Sequence, residues 1–140
     1  MSSAYAVATA FTFVWLGMVL AISFIEAPLK FRAPGVTIPL GLGIGRLVFR
    51  ALNSVELLLA AGIVVCLVVA EARTSVWIAA AVGIVVLLAQ VGLVRPSLTR
   101  RSNAVLAGED APRSNAHLVY VALELAKVIA LVVTGVLLLS

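Results

Sequence analysis

The 140 residues include one cysteine, one histidine and six acidic residues, and only 11% of the chain is charged. Each scarcity excludes something. A lone cysteine, Cys66, cannot form an internal disulfide, and it lacks the companions that metal-ligand spacing requires; it reads as a small buried or lipid-facing hydrophobe. A single histidine, His117, rules out a bis-histidine haem within one chain. Aromatic residues make up 6% and do not interleave with basic ones, so the net charge of +4 is no sign of nucleic-acid binding. No nucleophile elbow, zinc-protease motif or pair of catalytic carboxylates at defined spacing is present. Gly41, Gly43 and Gly45 do not make a phosphate loop, because no strand precedes them and no Lys-Ser/Thr follows. The sequence identifies no catalytic residue, names no cofactor and leaves any metal unspecified.

Apolar sequence is what the chain has in excess. It is 64% hydrophobic with a mean hydropathy of +1.23. A domain this small keeps most residues near its surface and cannot hide that much apolar area from water. Four continuous apolar stretches, at about 5–27, 47–70, 76–94 and 118–139, are each near the ~20 residues that carry a helix across ~30 Å of hydrocarbon. They are continuous rather than alternating, which argues against a β-barrel. The first lacks a basic leader and a clean A-x-A-like cleavage site, so it reads as a retained helix rather than a secretory signal. The expectation is a single all-α domain over residues 1–140: an integral membrane four-helix bundle with the lipid bilayer as its main partner.

The connections are expected to differ in kind. "KFRAPGVTIPLGLGIGR", with two prolines and four glycines, reads as a helix-breaking loop, re-entrant or at the membrane interface, or as helix-start packing where the glycines cluster. "EARTS" is a tight turn. Pro96 is expected to end or kink the third helix, and Ser114–Ala116 offers an N-cap for the fourth. Lys30, Arg32, Arg46, Arg50, Arg95, Arg100, Arg101 and Arg113 fall on the side of the two longer connections, and Arg73 alone on the other. Positive residues favour the cytoplasm, which predicts both termini outside it. Richness in Ala, Val, Leu and Arg suits a bacterial inner (plasma) membrane.

Ionisable residues inside these stretches are the functional signal. His117, Tyr120, Glu124 and Lys127 share one helical face at i, i+3, i+7 and i+10. Arg46, Arg50, Asn53 and Glu56 do the same on the second helix, Glu26 lies near the end of the first, and Gln90 and then Arg95 close the third. The pattern predicts a shared polar cluster of Glu26, Arg46, Arg50, Asn53, Glu56, Gln90, His117, Tyr120, Glu124 and Lys127. Trp15 and Trp77 read as packing or interfacial residues, and Ala79, Ala80, Ala81 and Gly83 permit close helix contact.

"WLGMVLAISFIEAPLKFRAPG", Trp15 to Gly35, resembles the opening of the domain-of-unknown-function 4149 family, also called transmembrane-protein-205-like. Trp15, Gly17, Pro28, Phe31 and Arg32 stand in places comparable to that family's first helix. Phe49, Arg95–Pro96 and His117 match later features. Arg50 departs from a family proline, and Glu124 from a family amide. The resemblance implies a small multi-pass membrane bundle, with a proposed link to metal-drug tolerance in animal members.

Three functions are consistent with these residues. In the first, a transporter or an ion- or proton-handling protein, acids line a wet cavity that takes an ion, a proton or a cationic substrate. In the second, an accessory subunit of a larger membrane complex, the charges are dry and fully paired. In the third, an intramembrane enzyme on a lipid-like substrate, His117 or Glu124 acts as base beside a cavity open sideways. A narrow bundle makes transport depend on a homo-oligomer.

Overall fold

A computed structural model describes residues 2–108 and 115–140. It is all-helical, with no strand among the described residues. Four helices, Ser3–Arg32, Ile38–Val69, Thr74–Leu106 and a last one at Asn115–Leu139, are long and apolar enough to cross a membrane. They run up and down. The first packs between the second and fourth, and the fourth between the first and third. The second and third meet mainly where the second touches the tail Arg95–Leu106. Ala8, Trp15, Val19, Ile63, Leu67, Leu87 and Leu131 form the core. The outer faces are apolar and bare: Leu58 is 73% and Leu93 77% exposed.

Three helices are longer than their apolar runs suggest, because polar and glycine-rich sequence continues them. The glycine-rich connection is largely helix rather than loop. Helix begins at Ile38, where Thr37 Oγ1 accepts from the Leu40 amide (3.2 Å) and Pro39 occupies the first turn, which needs no N–H from it. The glycines are there for close approach. A Cβ on Gly41 would fall 2.2 Å from the Phe31 ring, and one on Gly45 would fall 2.9 Å from Lys30 Nζ. The Gly41–Gly45 stripe is thus a flat seat for the end of the first helix. At 32 residues the second helix is ~48 Å long, more than the ~30 Å that a hydrocarbon core requires.

Pro96 does not end the third helix, and Pro28 does not end the first. Each follows a wide π turn, at Leu20–Glu26 and Gln90–Val94. Proline has no N–H to give and its ring crowds the carbonyl four residues back. The ladder shifts by one residue just ahead of it, with Ala27 bonding Ile22 and Arg95 bonding Gln90. The helix then continues, to Arg32 in one case and Leu106 in the other. The fourth helix starts at Asn115, and the N-cap expected at Ser114 lies outside the described residues.

"EARTS" makes the tight turn. Glu71 takes φ +50°, and the Ala72 amide bonds back to Leu67 (3.1 Å), closing the second helix in a left-handed cap. A side chain there costs about 1 kcal/mol relative to glycine. Glu71→Gly is therefore expected to raise unfolding free energy by about that amount, read by chemical denaturation in detergent; an unchanged or lowered value would show that the cap carries no strain. Beyond the turn, the Arg73 guanidinium donates to the carbonyls of Leu137 and Ser140, and Tyr5 Oη accepts from the Arg73 amide. Both chain ends therefore meet at the end of the bundle opposite Lys30 and Arg46. Ala79, Ala80 and Gly83 are buried, the last with room for only an ordinary contact to Ala130 (3.6 Å), whereas Ala81 faces outward.

Candidate functional site: a buried ion network beneath a basic cavity

Every helix sends a polar group to one point in the core. Lys127, fully buried, has three acceptors around its ammonium: Glu56 Oε2 at 2.5 Å, Glu124 Oε1 at 2.6 Å and Gln90 Oε1 at 2.9 Å. That matches the three donors of an ammonium group. The acids are equally occupied. Trp15 Nε1 donates to Glu56 Oε2 (2.6 Å), Ser23 Oγ to Glu124 Oε2 (2.6 Å) and Gln90 Nε2 to Glu124 Oε1 (3.3 Å). In the orientation that satisfies both of its ends, the Asn53 amide donates to Glu56 Oε1 (3.1 Å) and accepts from Arg95 Nη2 (3.3 Å). Arg95 also donates to Tyr120 Oη (3.0 Å), and its guanidinium lies over the Phe49 and Tyr120 rings at 5.2 and 4.9 Å. Two carboxylates thus face two cations, and the network is neutral. Burying such charges is tolerable only with this degree of pairing and hydrogen bonding.

The ten-residue cluster expected from the sequence divides. Asn53, Glu56, Gln90, Tyr120, Glu124 and Lys127 come together. Glu26 does not join them: it turns to Lys30 on its own helix (3.6 Å), because the π turn rotates it away from Ser23's face. Arg46 and Arg50 are exposed, and Arg46 donates to Asn103 Oδ1 (2.5 Å) on the third helix's tail. The i, i+4, i+7, i+10 face of the second helix is real, but its upper half emerges from the bundle. His117 is exposed on a cavity wall. Trp15, Ser23 and Arg95 complete the network. Trp15 shares a helical face with Glu26, and that stripe was the available signal; the serine inside an apolar run carried none.

Toward the chain termini the network is sealed. The next hydroxyls, Thr12 and Thr134, are buried and bond only carbonyls of their own helices, Ala8 (2.8 Å) and Ala130 (2.7 Å). Toward the arginine-rich end it opens. A cavity of about 470 Å³ lies between the ends of all four helices, with Glu124 and Ser23 on its floor. Among the described residues, Lys30, Arg46, Arg95 and Arg101 line it, against the single carboxylate of Glu124. Phe24, Phe31, Phe49, Leu42 and Leu98 supply apolar wall. Among the described residues, no group of three or more His, Cys, Asp or Glu could hold a metal ion.

Trp15→Phe keeps the ring and removes the donor to Glu56. Leaving that buried acceptor one bond short is expected to cost about 1–3 kcal/mol of stability by equilibrium denaturation. A change below about 0.5 kcal/mol would show that the indole bond is not part of the network's balance.

The chain matches no family model, no curated protein and no solved structure.

Proposed function

We propose that the chain is a four-span integral membrane protein that binds an anion in a one-sided cavity at its arginine-rich end. The buried Lys127 network beneath it acts as a fixed structural core. The bilayer supplies the solvent that the bare apolar faces require. By the distribution of Lys and Arg, the cavity opens on the cytoplasmic side of a bacterial inner membrane and the termini lie outside. Membership of the domain-of-unknown-function 4149 family is part of the same reading, on the residues that resemble it.

The observation that carries the anion reading is the cavity's charge. Lys30, Arg46, Arg95 and Arg101 line it. Arg95 is the network's own second cation and Lys30 has Glu26 at 3.6 Å, so Arg46 and Arg101 are the cations with no carboxylate partner among the described residues. The lining carboxylate, Glu124, is already committed to Lys127, Ser23 and Gln90. This turns the expected cationic substrate around: the acids are neutralised from within, so what faces the open space is positive. The full pairing of the network favours the accessory-subunit expectation for the network itself, while the cavity retains room for a ligand. The enzyme reading is set aside, because no catalytic motif in the sequence carries it.

A ligand that binds only the folded state raises the melting temperature with concentration; at a hundredfold over Kd the gain is about 2.7 kcal/mol. Purified protein in zwitterionic nanodiscs is expected to melt higher in inorganic phosphate than in equal ionic strength of chloride, and to ignore magnesium, manganese and zinc. Stabilisation by a divalent cation and by no anion would reverse the reading in favour of ion handling by the acids.

A further inference from the structure

Two side-chain atoms on the cavity wall have no hydrogen-bond partner among the described residues. Ser102 is 8% exposed and its Oγ makes no hydrogen bond, and Arg101 Nε is buried beside it, equally unbonded. A buried donor left without an acceptor carries a desolvation penalty, and both of these face a space that already holds excess positive charge. They sit one residue apart on the third helix's tail, across from Lys30, which lies folded over Gly45 with its ammonium 5.6 Å from the Phe31 centroid and 5.8 Å from that of Phe49. Part of the lining is not polar. Leu42, Phe49, Leu98 and Val121 offer hydrocarbon that a bare inorganic anion would leave unused. A volume of about 470 Å³ falls within the ~300–1,000 Å³ of sites for drug-sized ligands.

Resting on the reading of this cavity as an anion site, we propose that its ligand is an anionic amphiphile: a phosphate monoester carrying an alkyl or acyl chain. Its oxyanion accepts from Arg101 Nε and Ser102 Oγ, and its chain lies along Phe49 and Leu42. The guanidinium fork and the hydroxyl provide the directed donors that a phosphate takes. The same chemistry is offered by a soluble alkyl phosphate and by the headgroup of a bilayer phosphatidate.

The test uses the full chain in phosphatidylcholine nanodiscs and follows melting temperature against inorganic phosphate, octyl phosphate and octylammonium. Octyl phosphate is expected to act saturably, at concentrations at least tenfold below inorganic phosphate. Ser102→Ala and Arg101→Gln are each expected to weaken that response tenfold or more. Arg100→Gln, an exposed neighbour bonded to Ser97, should leave it unchanged. The ratio of octyl to inorganic phosphate in the wild type stands even if a variant fails to fold. Discs containing phosphatidic acid separate the sources. If they raise the melting point in a Ser102-dependent way and abolish the octyl phosphate response, the ligand comes from the bilayer; if they leave that response intact, it is soluble. Equal potency of inorganic and octyl phosphate overturns the amphiphile but keeps the anion site. An octyl phosphate response that survives both substitutions is partition into the disc, and overturns the proposed seat. No response to any anion, or a response to octylammonium alone, overturns both.

Discussion

Lys127→Met is expected to cost the folded state about 3–5 kcal/mol. The methionine fills nearly the same volume, so packing alone predicts little change. Charge predicts a large one. Without the ammonium, Glu56 and Glu124 stand fully buried with no cation between them, and Gln90 loses its donor. Polar contacts between membrane helices average only about 0.6 kcal/mol, so a loss several times larger identifies uncompensated charge rather than a lost hydrogen bond. The triple variant Lys127→Met, Glu56→Gln, Glu124→Gln removes both carboxylates and the buried cation, leaving Arg95 half-buried on the cavity wall as the one remaining charge, and is expected to recover much of the loss, since replacing a buried ionic group is often near neutral. Equilibrium unfolding in mixed micelles measures both. A Lys127→Met protein as stable as wild type, or a triple variant no better than the single one, would mean that the network does not hold the bundle as its distances imply.

Arg95→Met comes second, at about 3 kcal/mol. The guanidinium is the network's second cation and its link to the cavity. It bonds Tyr120 and, through Asn53, reaches Glu56, and it is flanked by two rings set edge to face at 5.9 Å. Its removal leaves two carboxylates against Lys127 alone. Arg95→Lys restores charge without the flat face that stacks on rings. It is expected to recover about half of the loss, because hydrogen bond and stack each contribute on the order of 1–2 kcal/mol. The same denaturation assay decides: if lysine does no better than methionine, the stack and not the charge is what Arg95 contributes.

Much of the fold is visible in the chain because its causes are local. Twenty-odd apolar residues in a row must be helical in any apolar solvent, and four such runs give four helices. The ends were harder to read. Ile38–Arg46 looks like a loop by its glycines and proline, yet Pro39 falls where a helix tolerates it and the glycines are the seat for Phe31 and Lys30, a tertiary fact that no local propensity contains. The tail Ser97–Leu106 is polar, so hydropathy stops short of it although the helix does not. The network was half legible. Helical spacing placed Tyr120, Glu124 and Lys127 together, and likewise Asn53 with Glu56. Spacing within one helix cannot say which partner helix a face meets, so Glu26, Arg46 and Arg50 were grouped by charge with residues they do not touch. The cavity was invisible for the same reason: Arg101 and Ser102 read as ordinary polar residues until four helix ends surround them.

A bundle sealed at one end and open at the other should show it by single-cysteine labelling. Cys66 is the chain's only cysteine, so Cys66→Ala gives a clean background. Ser102→Cys and Thr134→Cys are near-isosteric replacements at buried sites, 8% and 1% exposed, above and below the network. A charged, water-soluble thiosulfonate is applied to intact cells and to inverted vesicles. Ser102→Cys is expected to react only in inverted vesicles and Thr134→Cys in neither. Reaction of Thr134→Cys at a rate comparable to Ser102→Cys would mean that water passes the Lys127 network, and a sealed core beneath a one-sided site would be wrong.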